Sequence, residues 1–345
     1  MTTRARQPAY KLTVAGQDIT TAIRARLIDL TLTDNRGFES DQLDLTLDDS
    51  DGALDIPPRG AIIRLALGWA GASLEDKGTY TVDEVEHSGA PDRITIRARS
   101  ADLRAGLSEK RDQSWHATTI GGIVKTIAGR NRLAEVIADE LASKAIAHLD
   151  QTDESDANLL TRLAQDFDAI ATVKAGRLLF TPAGQARTAS GKPLQGVLIT
   201  RSSGDSHRFS VADRNGATAV KANWYDVNNG IRDSVTVGAE ETDEDPETTE
   251  PSTPNVKTLR HTYPSRQAAA QAAKAELQRL QRGVADFSIT LAIGRPELIP
   301  ELPAIVRGFK PQIDQANWII SRVTHRLGDA GLTTSLDLEL LNKEQ

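Results

Sequence analysis

The run His148-Leu149-Asp150-Gln151-Thr152-Asp153-Glu154-Ser155-Asp156 gathers the imidazole and carboxylates that metal binding or acid–base chemistry requires. A calcium loop would also need a glycine at its turn and a closing glutamate, and neither is present. The run therefore reads as a helix N-cap at Ser155 or Asp156, with solvated acids that complement the helix dipole. The 6 histidines (His87, His116, His148, His207, His261, His325) are scattered, and no pair has the spacing of a helical zinc motif. Gly121-Gly122 at a helix start could approach a phosphate, but no Lys-Ser/Thr follows at the required spacing. Close packing of the helix on its neighbour is expected instead. Ser202-Ser203-Gly204-Asp205-Ser206-His207 puts Ser, Asp and His side by side, but adjacency in sequence is not the geometry of a triad, and a polar turn is expected. With 0 cysteines, disulfides, thiolate metal sites and cysteine catalysis are excluded. No catalytic, cofactor-binding or metal-binding residue is nominated.

Composition narrows the classes further. The chain has 345 residues, 39% hydrophobic and 26% charged, enough for two or more ordinary globular domains. Aromatics are only 4%, so aliphatic side chains must fill the core. A net charge of −7 argues against a general nucleic-acid binder, which needs lysine and arginine to neutralise phosphates. No apolar stretch approaches the ~18 residues that span a bilayer. Met1–Pro8 carries basic residues without the apolar run of a secretory signal, so synthesis and folding in the cytoplasm are expected.

The elements that would position these residues change period along the chain. Leu43, Leu45 and Leu47 alternate on one face of a strand, and short alternating segments recur at 10–14, 62–67, 79–85 and 93–98. Such spacing suggests a barrel or sandwich. Ile120, Ile123, Val124 and Ile127 fall on one helical face, with Thr118 or Thr119 as cap. A second helix starts near Ser155-Asp156 and presents Leu160, Leu163, Ala164 and Phe167, followed by a hairpin at 171–180. Strands return after about 195. Residues 239–256 are acidic and Pro-rich and predict a disordered loop. An Ala-rich helix over 265–282 has too weak an apolar face for a membrane anchor.

The two ends of the chain repeat one another. Asp44-Leu45-Thr46-Leu47 matches Ser288-Ile289-Thr290-Leu291, and Ile56-Pro57 through Arg64 matches Ile299-Pro300 through Arg307. Tyr80 through His87 matches Trp318 through His325, and an alternating strand closes each copy. The predicted fold is mainly β with an α+β insertion: two similar tube-type β-barrel domains, 1–108 and 191–345, around a helix-containing domain at 109–190.

Three stretches resemble the phage late control gene D family, the tail proteins of P2-like contractile phages. They are Ile56–Ile63 with Gly78–Asp83, Trp115–Val124 running on to Gln151–Ala164, and Trp318 through His325. The phage T4 hub and the hub part of type VI secretion spike proteins are similar. The family-motif positions, structural or interfacial, are Trp115, Thr118, Thr119, Gln151, Glu154, Ser155, Asp156, Trp318 and His325. The resemblance implies a non-enzymatic baseplate hub in the virion, assembled in the host bacterial cytoplasm. It implies a homotrimer adapting a six-fold tail tube protein to a three-fold, separate spike protein, beside other baseplate components. DNA would pass through its channel without specific binding. The chain stops at Gln345 soon after the second barrel, so a separate protein is expected to supply the spike. Two alternatives stand beside it. A tail-associated cell-wall hydrolase would need paired carboxylates or a nucleophile with its base. A receptor- or carbohydrate-binding module would cluster Trp or Tyr, and Trp69, Trp115, Trp224 and Trp318 are widely spaced.

Overall fold

The computed structural model describes residues 6–100, 105–174, 176–186, 192–211, 217–227, 229–238 and 255–341. Most of the expected loop at 239–256 lies outside them; Asn255 and Val256 are described, and Val256 begins a strand.

Alternation builds the first half. Its elements are β1 (Pro8–Val14), β2 (Gln17–Asp18), a short helix α1 (Thr20–Ile23), β3 (Leu27–Asn35), β4 (Gln42–Asp48), β5 (Ile62–Trp69), β6 (Glu75–Ser88) and β7 (Arg93–Ser100). They pair in the order β3-β4-β7-β6-β5-β1-β2. Because successive side chains point to opposite faces, Leu43, Leu45 and Leu47 all turn inward. They meet Leu12, Leu30, Leu32, Leu65, Leu67, Tyr80 and Ile94 in one core.

The period then switches to 3.6. α2 (Ala105–Ser108), β8 (Lys110–Thr119), α3 (Ile120–Arg130), β9 (Ala134–Ile137), α4 (Asp139–Ala142), β10 (Ala145–Ser155), α5 (Asp156–Asp166), β11 (Ala169–Lys174) and β12 (Arg177–Pro182) form an α+β block. Ile120, Ile123, Val124 and Ile127 of α3 pack against Leu159, Leu160 and Leu163 of α5 and against Phe180 in its core. Close packing is what Gly121 provides, since a Cβ there would lie 2.9 Å from the Ala142 carbonyl oxygen.

The second half contains β13 (Val197–Thr200), β14 (Gly204–Val211), β15 (Ala219–Asp226), β16 (Ile231–Val237), β17 (Val256–Tyr263), α6 (Arg266–Arg282), β18 (Ala285–Leu291), β19 (Pro303–Arg307), α7 (Pro311–Asp314), β20 (Trp318–Gly328) and β21 (Gly331–Leu340). Here β14-β18-β21-β20 run in order, with β19 beside β20 and β13 beside β19. Phe287, Ile289, Leu298, Val306, Trp318, Ile320 and Leu338 share its core. The Ser202–His207 segment is a 3-10 turn leading into β14, in which the Ser203 hydroxyl donates to the Thr200 carbonyl at 2.7 Å. The chain is thus mainly β, with a helical insertion between two similar halves.

Sequence periodicity did not separate one further layer. β16-β15-β17 make their own three-stranded sheet, covered by α6. The alanines of α6 (Ala269, Ala272, Ala273) let the helix settle directly on Val220 and Ala222.

Candidate assembly interface

The two halves share one hydrogen-bond register. Val82, Glu84, Val85 and His87 of β6 pair with Ala98, Arg97, Ile96 and Ile94 of β7. Ile320, Arg322, Val323 and His325 of β20 pair with Leu338, Asp337, Leu336 and Thr334 of β21. Both ladders skip one residue at the same place, Asp83 and Ser321. β3 against β4 skips Ile28, and its counterpart β14 against β18 skips Asp205. A bulge changes twist and re-aims side chains, so two bulges at matched positions are costly to reproduce by accident.

The Ile-Pro turns correspond with an offset that corrects the sequence alignment. Gly60 N donates to the Val82 carbonyl at 2.7 Å, and Glu301 N donates to the Ile320 carbonyl at 2.8 Å. Gly60 is therefore the partner of Glu301, and Ile299-Pro300 corresponds to Pro58-Arg59 rather than to Ile56-Pro57. Shifting by two residues preserves which face each side chain occupies, so alternation alone could not reveal it. The strands beyond β5 and β19 also differ, for β1 runs antiparallel to β5 whereas β13 runs parallel to β19.

The halves are joined along a seam. Arg322 through Leu327 of β20 pair antiparallel with Asn35 through Leu30 of β3. Leu30, Leu32, Val323 and His325 are all buried there. Arg326 Nε donates to Asp29 Oδ1 at 2.6 Å, and Arg322 Nε donates to Asn35 Oδ1 at 2.9 Å. His325 Nδ1 lies 2.9 Å from Thr334 Oγ1, and burial, aided by Lys77, pushes its pKa down to about 3. Trp318, at the start of the same strand, is buried and donates from Nε1 to the Ile313 carbonyl at 2.9 Å.

Where the halves, the inserted block and α6 meet, charge is buried. Arg282, the last residue of α6, donates to Asp168 through Nη1 at 2.7 Å and Nη2 at 2.5 Å, and its Nε lies 3.4 Å from Glu339. Arg36, in the loop after β3, reaches Glu339 and sits 2.6 Å from Glu301. Burial raises the Glu301 pKa despite Arg36. Glu301 keeps φ near +70°, a conformation that a non-glycine residue holds only where its surroundings over-determine it. Gly184 (φ +65°) must remain bare, because a Cβ would come within 2.8 Å of Arg282 Cδ.

The remaining motif positions lie together in the inserted block, away from the seam. Thr119 caps α3, accepting from Gly122 N at 3.1 Å, with Thr118 Oγ1 2.7 Å from where a Gly122 Cβ would stand. Ser155 caps α5 by accepting from Asn158 N at 3.2 Å. Glu154 accepts from Arg162 Nη2 at 2.7 Å. Asp156 departs from the expected solvated acid. It is fully buried, and accepts from Arg130 Nη1 at 3.0 Å and from Gln151 Nε2 at 2.9 Å. Trp115 is buried in the same core. The outer acids behave differently, with exposed Asp150 taking Ser114 Oγ at 2.6 Å and His148 Nε2 at 2.9 Å. Asp156→Ala is expected to strip Arg130 and Gln151 of their buried acceptor and to cost about 3–5 kcal/mol. Faster amide exchange in α5, β8 and β10, with β20 and β21 unchanged, would report it. Equal loss everywhere would show that Asp156 does not act locally.

Sequence reasoning missed Asp29, Arg36, Asp168, Arg282, Glu301, Arg326 and Glu339, which come from distant points of the chain and form no local motif.

The model of the family described as phage tail baseplate hub (GPD) matches residues 43–331. The "Probable baseplate hub protein" of Escherichia phage 186 is 48% identical over 361 aligned residues, covering 96% of this chain and 93% of that protein. The protein of the same name from Escherichia phage P2 is 46% identical over 360, with the same coverage. Among solved structures, the 43 kDa tail protein of prophage MuSo2 from Shewanella oneidensis superimposes with a TM-score of 0.68 at 15% identity, over 95% of this chain and 97% of that one. At that identity the likeness speaks to the fold.

Proposed function

We propose, from the premise that this chain belongs to the phage tail baseplate hub (GPD) family and is a structural hub protein of the virion's tail, that three copies form a ring joining a six-fold tail tube to a three-fold spike. The observation that carries this reading is the shared register of the two halves, down to the matched bulges at Asp83 and Ser321. Chains usually assemble with closed cyclic symmetry. Three chains, each with two equivalent sheets, would present six similar surfaces to the tube, while the inserted blocks repeat only three times and would suit the spike.

In this reading residues 1–108 and 191–345 are the tube-like units and 109–190 is the inserted one. Trp318 and His325 would hold the seam, and Gln151 through Asp156 would stiffen the insertion. The role is mechanical and non-enzymatic. Its partners are the tail tube protein, a separate spike protein and other baseplate components. DNA would pass through the ring, and a net charge of −7 would limit sticking.

Counting the chain in assembled tails by quantitative peptide mass spectrometry, against a tube protein that repeats six-fold, tests the ring. Three copies per tail are expected, and two or six would overturn it.

A further inference from the structure

We propose that His116 and His148 form a chelating site for one divalent copper- or nickel-class ion on the outer face of the inserted block. The site is independent of the ring reading and stands on the β8–β10 ribbon alone.

The two residues are 32 apart in sequence, and strand register sets them directly opposite one another. Opposite residues of an antiparallel pair carry their Cβ atoms about 4.5–5.5 Å apart. Alternation sends the adjacent pair, Trp115 and Leu149, against the core of the block and leaves both imidazoles outside it. The rings are therefore exposed, yet rooted in strands that the core holds in place.

The ring geometry favours a shared ion. The two Nδ1 atoms are 3.0 Å apart, the ring centres 4.6 Å, and the planes differ by 27°. The nitrogens are closer than the centres, so the two Nδ1 corners turn towards each other. A straight N–H···N bond would line the rings up end to end, with their centres beyond about 5 Å. A metal about 2.05 Å from each nitrogen would hold them at an angle of about 94° and set the centres about 4.7 Å apart. That is the cis angle of tetragonal Cu²⁺ or Ni²⁺, and it is narrower than the tetrahedral angle zinc prefers.

The far nitrogen of His148 is already engaged. His148 Nε2 lies 2.9 Å from Asp150 Oδ2, and Ser114 Oγ donates to Asp150 Oδ1 at 2.6 Å. Ser114, and then His148, hold the Asp150 carboxyl below the usual carboxylate range, which keeps it an acceptor. With its proton on Nε2, the neutral ring offers its Nδ1 lone pair to an ion. A carboxylate that orients a histidine in this way is the usual outer support of a metal ligand. Among the described residues no group of three His, Cys, Asp or Glu side chains gathers around an ion, so water fills the remaining positions. Entry is open, for the His148 side chain is 45% exposed and lines a cleft of about 630 Å³.

The untagged full-length chain, stripped of metal by chelation, should take up one Cu²⁺ per chain in a calorimetric titration with copper chloride. Zinc chloride should bind at least tenfold more weakly. Paramagnetic resonance of the copper-loaded chain should show splitting from two imidazole nitrogens. His116→Gln and His148→Gln should each weaken copper binding at least tenfold, and Asp150→Asn about tenfold. His87→Gln removes an exposed imidazole elsewhere and should change nothing. Copper uptake of equal strength in the His116→Gln, His148→Gln chain would overturn the site. So would a wild-type resonance spectrum without two nitrogen ligands, or an equal loss in His87→Gln.

Discussion

Replacing Arg282 with alanine is expected to destabilise the chain by about 3–5 kcal/mol, because it removes the guanidinium that bonds both carboxylate oxygens of buried Asp168. Arg282 is only 4% exposed and Asp168 7%, so water cannot take over the lost hydrogen bonds. The loss is larger than for a surface ion pair, whose median is roughly 0–1 kcal/mol. It also spreads, since Arg282 Nε faces Glu339, which Arg36 shares with Glu301. Removing both ends should cost less than the sum of the single changes. Arg282→Met with Asp168→Asn makes that comparison, and asparagine tolerates the φ of +49° that Asp168 holds. A coupling of about 1–3 kcal/mol in the double-mutant cycle is expected from urea unfolding midpoints. Strictly additive effects would mean that the two side chains do not stabilise the junction together.

That junction marks the boundary of what could be read from the chain. The repeat was legible because each half buries one face of its strands, and burial forces alternation that survives divergence: Leu43, Leu45 and Leu47 in one copy correspond to Phe287, Ile289 and Leu291 in the other. The α3 and α5 faces were legible for the same reason at the helical period. The position of the Ile-Pro turn was not, because a shift of two leaves the pattern intact and only the hydrogen bonds of Gly60 and Glu301 settle it. Nor was the layer of β15, β16 and β17 under α6, whose alanine face carries little hydrophobic signal. One clue to the junction was present. Arg282 lies seven residues after Ala275, on the buried face of α6, and a cation on such a face needs an acid from elsewhere. Which acid it meets depends on the tertiary fold, since Asp168 and Glu339 reach it from the inserted block and from β21.

Acidification is expected to weaken the seam through His325. Its pKa falls from an ordinary 6.5 to about 3 because the imidazole is buried, with Lys77 adding to the effect. Between those values the unfolded chain binds a proton that the folded chain refuses. Stability present above pH 6.5 is therefore lost as pH falls towards 3. By pH 5 this one group accounts for about 2 kcal/mol. Asp41 acts in the opposite sense, for burial and the nearby Asp34 raise its pKa to about 6 against the pull of Lys174. From pH 6 down to 3.8 the folded chain binds the proton there more readily, which adds stability as the solution is acidified. The whole-protein profile mixes both groups, so the decisive quantity is the difference between wild type and His325→Gln. Glutamine can keep a hydrogen bond to Thr334 but cannot take up a proton. Whatever repacking costs the variant at pH 7, its deficit should shrink by about 2 kcal/mol at pH 5. Parallel unfolding curves at the two pH values would show that His325 is not held neutral. The joint between the halves tolerates no charge at this position, since Leu32 of β3 lies directly across from His325 and both side chains are buried.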